Sequence, residues 1–116
     1  MSSAPPLYGE TIVTAAMLLE ALEACGERHT ALRHRLADGV LRLTDHVVLA
    51  LFDCDRLEHL HAADAELRTL RVHLLLALEL RVLEEAFFLN LAERTDSMGR
   101  QIGGWIKKCE RDELKR

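Results

Sequence analysis

Lysines and arginines that cluster in two segments are the residues of this sequence with the clearest capacity to bind a partner. Residues 27–42 carry four arginines against two acids, and residues 99–116 carry six basic residues against three acids. Residues 1–26 and 43–98 are acidic, and the whole chain has a net charge of −4. Because phosphate contact depends on local lysine and arginine, these two segments are the candidate binding regions of an otherwise acidic molecule.

Three of these arginines have a spacing that would place them on one side of a helix. Arg28, Arg35 and Arg42 recur every seven residues and would form one stripe on a helix. The predicted surface for a nucleic acid or protein partner comprises Arg28, Arg33, Arg35, Arg42, Arg68, Arg71, Arg100, Lys107 and Lys108. These residues form one patch only if their helices are neighbours. The alternative is that each pairs with nearby acids on a solvated face.

No pattern in the sequence predicts an enzyme. There is no nucleophile elbow or phosphate-binding glycine loop, and the three cysteines show no C-x-x-C spacing. Glu58 and His61 have the spacing of a di-iron bundle motif, but such a site needs a second pair, which the sequence lacks. We therefore predict no catalytic residue, no metal site and no cofactor, with a metal-binding bundle as a weak alternative.

The elements that must position the basic residues are helices. Apolar residues recur every three or four positions and predict a first helix that ends at Gly26 and a second that begins near Thr30. The segment 53–55 is predicted to end the second helix and cap the third. A break at 80–83 precedes the fourth. These features predict an all-α, up-down-up-down four-helix bundle in residues 10–116, after a flexible leader in residues 1–9.

Three glycines lie within six residues of the predicted fourth helix, in the stretch MGRQIGGWIKK at 98–108. Each glycine in a helix costs about 0.5–1 kcal/mol relative to alanine, which close approach of another helix would offset. Gly99, Gly103, Gly104 and Trp105 are therefore predicted to be helix-packing or oligomer contacts. Whether the neighbouring helix belongs to the same chain stays open.

The C-terminal half resembles the accessory variability determinant (Avd) proteins of diversity-generating retroelements and the related four-helix proteins encoded within ribosomal RNA intervening sequences. The resemblance rests on Ala62-Ala63-Asp64 before a helix rich in leucine and arginine, and on Gly99-Arg100 and Gly103-Gly104-Trp105 about 40 residues later. The first half matches in general form, through its basic segment.

The resemblance implies a bundle that assembles into a ring-shaped homopentamer. It also implies a non-enzymatic role in mutagenic cDNA synthesis, through contact with a reverse transcriptase and its structured template RNA. The alternative is a helical protein-interaction scaffold of the same fold that binds no nucleic acid. Apolar runs are too short for a membrane helix, and a cytoplasmic location without membrane contact is expected.

Overall fold

The computed structural model describes residues 6–115 and contains four α-helices with no strand in that range. They are α1 (Pro6–Ala24), α2 (Thr30–Phe52), α3 (Arg56–Glu79) and α4 (Glu85–Leu114). Each helix packs against two others in the order α1–α2–α3–α4, and within residues 6–115 no Cα atoms of the diagonal pairs lie within 8 Å of each other. The all-helical, four-helix prediction is confirmed.

Leucine side chains from all four helices form the core. In α2, Leu36, Val40, Leu43 and Val47 are fully buried, which is the three-to-four spacing that predicts the helix. Burial of each such side chain contributes about 1.5–3 kcal/mol, so this shared core stabilises the bundle more than intrinsic helix propensity does.

Two turns meet at one end of the bundle. Gly26 follows α1 with φ 72°, a conformation that glycine adopts without steric cost. The turn between α3 and α4 has neither glycine nor proline. It is held instead by buried Leu83 and by the Val82 N–H, which donates to the Ala77 carbonyl at 2.8 Å. The Cys25 thiol donates to the Val82 carbonyl at 3.2 Å and joins the two turns.

The start of α1 differs from the prediction. Residues 6–9, which fall in the predicted leader, form the first turn of α1, and residues 1–5 lie outside the described part of the chain. Pro6 suits this position because a proline at the start of a helix loses no hydrogen bond. Leu7 is buried, which ties this turn to the core. The helix therefore starts earlier than apolar periodicity alone indicates.

Across residues 6–115, no helix is both long enough and apolar enough to span a membrane.

Candidate nucleic-acid interface

The two basic segments lie at opposite ends of the bundle. The first covers a turn and the first half of α2, whereas the second covers the end of α4. Helices α2 and α4 run in the same direction and, in the described residues, bring no Cα atoms within 8 Å of each other. Within one chain the two basic segments therefore do not form one continuous patch, because the alternating topology separates them along the bundle axis.

Arg35 and Arg42 line a groove between α2 and α3, which also contains Asp38, Glu66 and His73. Arg42 pairs with Asp38 at 3.1 Å, and both side chains are about half exposed. Arg35 has no ion pair within residues 6–115. The groove therefore combines one uncompensated arginine with one that an acid partly neutralises.

The predicted stripe on α2 is shorter than expected. Arg28 lies in the turn before α2, which begins at Thr30. Arg33 folds back, and its Nε donates to the Arg28 carbonyl at 2.8 Å. Only Arg35 and Arg42 continue as helix-borne members of the stripe, because the chain leaves helical geometry at His29, which has φ 53°.

Arg71 and Arg100 come together where α3 packs against α4. Arg71 lies 3.9 Å from the Asp96 carboxylate, and Arg100 pairs with the same residue. Two guanidinium groups thus share one carboxylate and leave a local excess of positive charge. Nearby, Arg68 pairs with Asp64 at 3.1 Å on the surface of α3, with 80% of the Arg68 side chain exposed. This exposed pair contributes little to stability.

Lys107 and Lys108 are exposed on the last turns of α4 and have no ion pair among the described residues. Trp105 lies at the level of Arg56, the first residue of α3, so the following residues of α4 extend past that helix. At 1.5 Å per residue, the extension to Leu114 is about 13 Å. These lysines are therefore accessible from several sides.

Arg56 positions Trp105. Its guanidinium carbon lies 5.2 Å from the centre of the indole, and its Nε donates to the Ala50 carbonyl at 2.8 Å. Arg56 thus stabilises the end of α2, begins α3 and covers one face of an aromatic ring on α4. Arg56 is not among the residues predicted from the sequence. A basic residue just after a helix end was the only available signal, since its contact with Trp105 spans 49 residues of chain.

Trp105 also borders an open, largely apolar cavity of about 320 Å³, lined by Leu7, Gln101, Gly104, Trp105 and Lys108. Gln101 is held by its Nε2, which donates to the Glu10 carboxylate at 2.8 Å. The cavity therefore lies between the start of α1 and the end of α4.

The predicted close packing at the glycines is only partly found within the chain. A Cβ placed on Gly99 would lie 3.5 Å from Leu67 Cδ2, so Gly99 faces α3 at ordinary contact distance. Gly103 and Gly104 would meet nothing within 4 Å. Packing between helices of one chain therefore does not explain these two glycines, because α4 turns this part of its surface away from the core. An oligomer contact there stays a prediction.

The turn between α2 and α3 holds a polar cluster. The carboxylates of Asp53 and Asp55 and the Cys54 thiol have ligand atoms within 4.8 Å of one another, the spacing that a cation would need. His59 Nε2 lies 3.0 Å from Asp53 Oδ2. This hydrogen bond and a weaker one from the Asp55 N–H lower the pKa of the Asp53 carboxyl. The adjacent carboxylates raise the pKa of the Cys54 thiol, which disfavours the nucleophilic thiolate.

The predicted cap also differs. Asp55 stands at the start of α3, but its side chain makes no cap hydrogen bond. The Asp53 carboxylate instead accepts from the Asp55 N–H at 3.3 Å, so this acid organises the turn.

Comparison with known proteins agrees with this architecture. A family model described as bAvd-like matches residues 14–109, which covers all or most of each helix. No curated protein and no solved structure matches the chain significantly. Because the family match covers most of the sequence, the resemblance seen in the C-terminal half is confirmed and extends into the first half. The chain belongs to the bAvd-like family and is an accessory protein of the bAvd type.

Proposed function

We propose that this protein is the non-enzymatic accessory subunit of a diversity-generating retroelement. As a homo-oligomer it binds a reverse transcriptase, its template RNA, or both, and supports mutagenic cDNA synthesis. The observation that carries the proposal is the family match over residues 14–109. Exposed cationic side chains supply the chemistry that contact with RNA requires.

The RNA part of the proposal rests on cationic side chains that no acidic residue, or only a shared one, neutralises. Arg35, Lys107 and Lys108 have no acidic partner in residues 6–115, and Arg71 and Arg100 share a single carboxylate. In one chain these groups are spread over the length of the bundle. In a closed ring the same groups are repeated around the assembly, so individually weak contacts add through multivalency.

The oligomer part is supported by an apolar surface on α3. Val72, Leu75 and Leu76 lie on its outer face and are 62%, 56% and 45% exposed. Neither α2 nor α4 covers these side chains. Contiguous exposed leucine and valine of this kind is typical of protein contacts. We place the contact between copies on this face, and the ring-shaped homopentamer implied by the family is the assembly we expect.

Salt dependence of RNA binding tests the RNA part. A labelled structured RNA should bind at low ionic strength, and its affinity should fall at least about tenfold between 50 and 200 mM salt if several phosphates are contacted. Lys107→Glu together with Lys108→Glu should weaken binding, whereas Glu110→Lys on the same helix should not. Absence of binding even at the lowest salt would remove the RNA part.

The scaffold alternative has one observation in its favour, the net charge of −4. It predicts that a basic protein partner co-purifies with this protein after nuclease treatment and that no RNA binds even at low salt. For the proposed function, failure of a reverse transcriptase to co-purify under any condition would remove the reverse-transcriptase part and leave RNA as the partner.

A further inference from the structure

The cavity beside Trp105 has the features of a site for a flat aromatic ligand. It is about 320 Å³ in volume, and among its lining residues Leu7, Gly104 and Trp105 present apolar surface. A Cβ on Gly104 would meet no atom within 4 Å, so the glycine leaves open space next to the indole. In an exposed helix this glycine has a conformational cost that no contact within the chain offsets.

The indole is held in place before any ligand arrives. Arg56 covers one face of Trp105, with its guanidinium held by carbonyl groups at the end of α2. Gln101 on the cavity rim is fixed by its hydrogen bond to Glu10. Stacking on a ring that is already ordered requires little further loss of side-chain freedom.

A cationic stripe leads away from the cavity along α4. Lys108 lines the cavity, and Arg111 follows three residues later on the face of α4 that carries Gly104. Lys115 is the residue just after α4, and its αR backbone continues this spacing. Of the acids of this segment, Glu110 and Glu113 are on other faces of the helix, whereas Asp112 follows Lys108 by four residues and borders the stripe, which keeps a net positive charge. From Lys108 to Lys115 the stripe extends about 10 Å.

From this arrangement we propose that the end of α4 is a binding site for single-stranded RNA. One unpaired base stacks in the cavity against Trp105, and the phosphates that follow lie along Lys108, Arg111 and Lys115. The inference rests on the RNA part of the proposed function and specifies the form of RNA. Aromatic stacking beside a basic track is how proteins hold single strands without sequence preference. A base inside a duplex cannot enter the cavity, because both its faces are already stacked.

Charge decides between RNA and a protein segment as the occupant. An apolar peptide would fill the cavity without using the three cations beside it, whereas a nucleotide presents an aromatic base and an anion together. The stripe therefore favours a nucleic acid, and occupation by protein becomes an outcome of the test.

Trp105 is the only tryptophan of the chain, so its fluorescence reports directly on this site. Full-length protein is titrated at low salt with an unlabelled single-stranded adenosine 12-mer and with an RNA duplex of equal length. We expect the single strand to quench the tryptophan emission and the duplex to leave it unchanged. Binding is measured in parallel by the anisotropy of labelled RNA.

Gly104→Leu fills the cavity without crowding the fold and should weaken single-strand binding at least about fivefold. Gly9→Leu is the matched control, because Gly9 is also helical, exposed and free of neighbours within 4 Å. It should bind as the parent does. Circular dichroism confirms that both variants remain helical.

The outcomes separate the two proposals. Single-strand binding that leaves Trp105 emission unchanged, or that Gly104→Leu and Gly9→Leu affect equally, overturns the stacking site while RNA binding stands. Trp105 emission that changes with protein concentration but not with RNA would assign the cavity to a contact between proteins. That outcome also overturns the stacking site. No binding of either RNA at low salt removes the RNA function and this site together.

Discussion

Arg56 shows how one side chain can join three helices. Its guanidinium contacts the end of α2 and the indole of α4 while the residue itself starts α3. Arg56→Ala should lower the free energy of unfolding by about 1–2 kcal/mol, because a charged hydrogen bond to backbone and a cation–π contact are both lost. Urea denaturation measures the change.

Arg35→Ala is the control for that experiment, since Arg35 is exposed and has no ion pair in the described range. Its effect should stay within about 0.5 kcal/mol. Equal losses in the two variants would contradict the linking role of Arg56.

Two glycines should respond in opposite directions to the same substitution. Gly104→Ala should stabilise the protein by about 0.5–1 kcal/mol, because the added methyl group meets no atom and alanine favours the helix. Gly26→Ala should destabilise it by about 1 kcal/mol, because Gly26 has φ 72°. Thermal unfolding measures the melting temperature of each variant. A change of the same sign in both would contradict the opposite backbone preferences of the two positions.

At the scale of elements, the turn between α2 and α3 should make stability depend on acid pH through Asp53. Its pKa is lowered in the folded state, chiefly by the hydrogen bond with His59. A carboxyl with a lowered pKa stabilises the fold above its ordinary value of about 3.9, and this contribution is lost as pH falls through the folded-state pKa.

Asp53→Asn should therefore be less stable than the parent at pH 7, and the difference should shrink as pH falls below the ordinary aspartate pKa of about 3.9 and through the lowered folded-state pKa. Urea denaturation at several pH values measures it, with Glu110→Gln in the exposed part of α4 as the control. A difference that stays constant down to the lowest pH would show that Asp53 acts through packing rather than charge.

At the scale of the whole molecule, assembly should depend on the outer face of α3. Leu75→Arg introduces a charge where we place the contact between copies, and it should convert the oligomer to 13.1 kDa monomers with no change in helix content. Light scattering gives the mass, and a pentamer would have a mass of about 66 kDa. Leu89→Arg, at an equally exposed leucine of α4, is the control and should leave the mass unchanged.

Gly103→Leu tests the assembly contact predicted from the sequence. A Cβ atom at this position would meet no atom within 4 Å, so we expect the variant to fold. A fall in particle mass for this variant, with no change for Leu75→Arg, would show that the contact between copies lies on α4 and not on α3.

The helices were predictable because their signal is local. Buried positions in α2 and α3 follow the leucine spacing, and Gly26 marks the first turn with a conformation that few other residues adopt. The start of α1 was not predictable from periodicity, since burial of Leu7 depends on helices distant in sequence. The break at 80–83 was predicted from helix length, and the hydrogen bonds to Ala77 that hold this turn carry no sequence signal.

The cationic residues of the predicted binding surface could be identified from the sequence, but their spatial arrangement could not. Most of these cationic residues are exposed, but their pairing with Asp38, Asp64 and Asp96 depends on side-chain geometry that the sequence does not specify. The glycines of α4 were singled out because glycine lowers the stability of a helix. Their surroundings differ, however: Gly99 contacts Leu67, whereas Gly103 and Gly104 face open space.

The sequence by itself determined the helical class, the approximate helix ends and the family, because apolar periodicity, the glycine after α1 and the family's motifs are encoded in neighbouring residues. Only the tertiary structure decided which charges lie together, since alternating helix direction sends the two basic segments to opposite ends. It also decided that Arg56 covers Trp105 and that a cavity opens beside Gly104. Contacts between residues far apart in the chain arise from packing, and packing is set by the whole core at once.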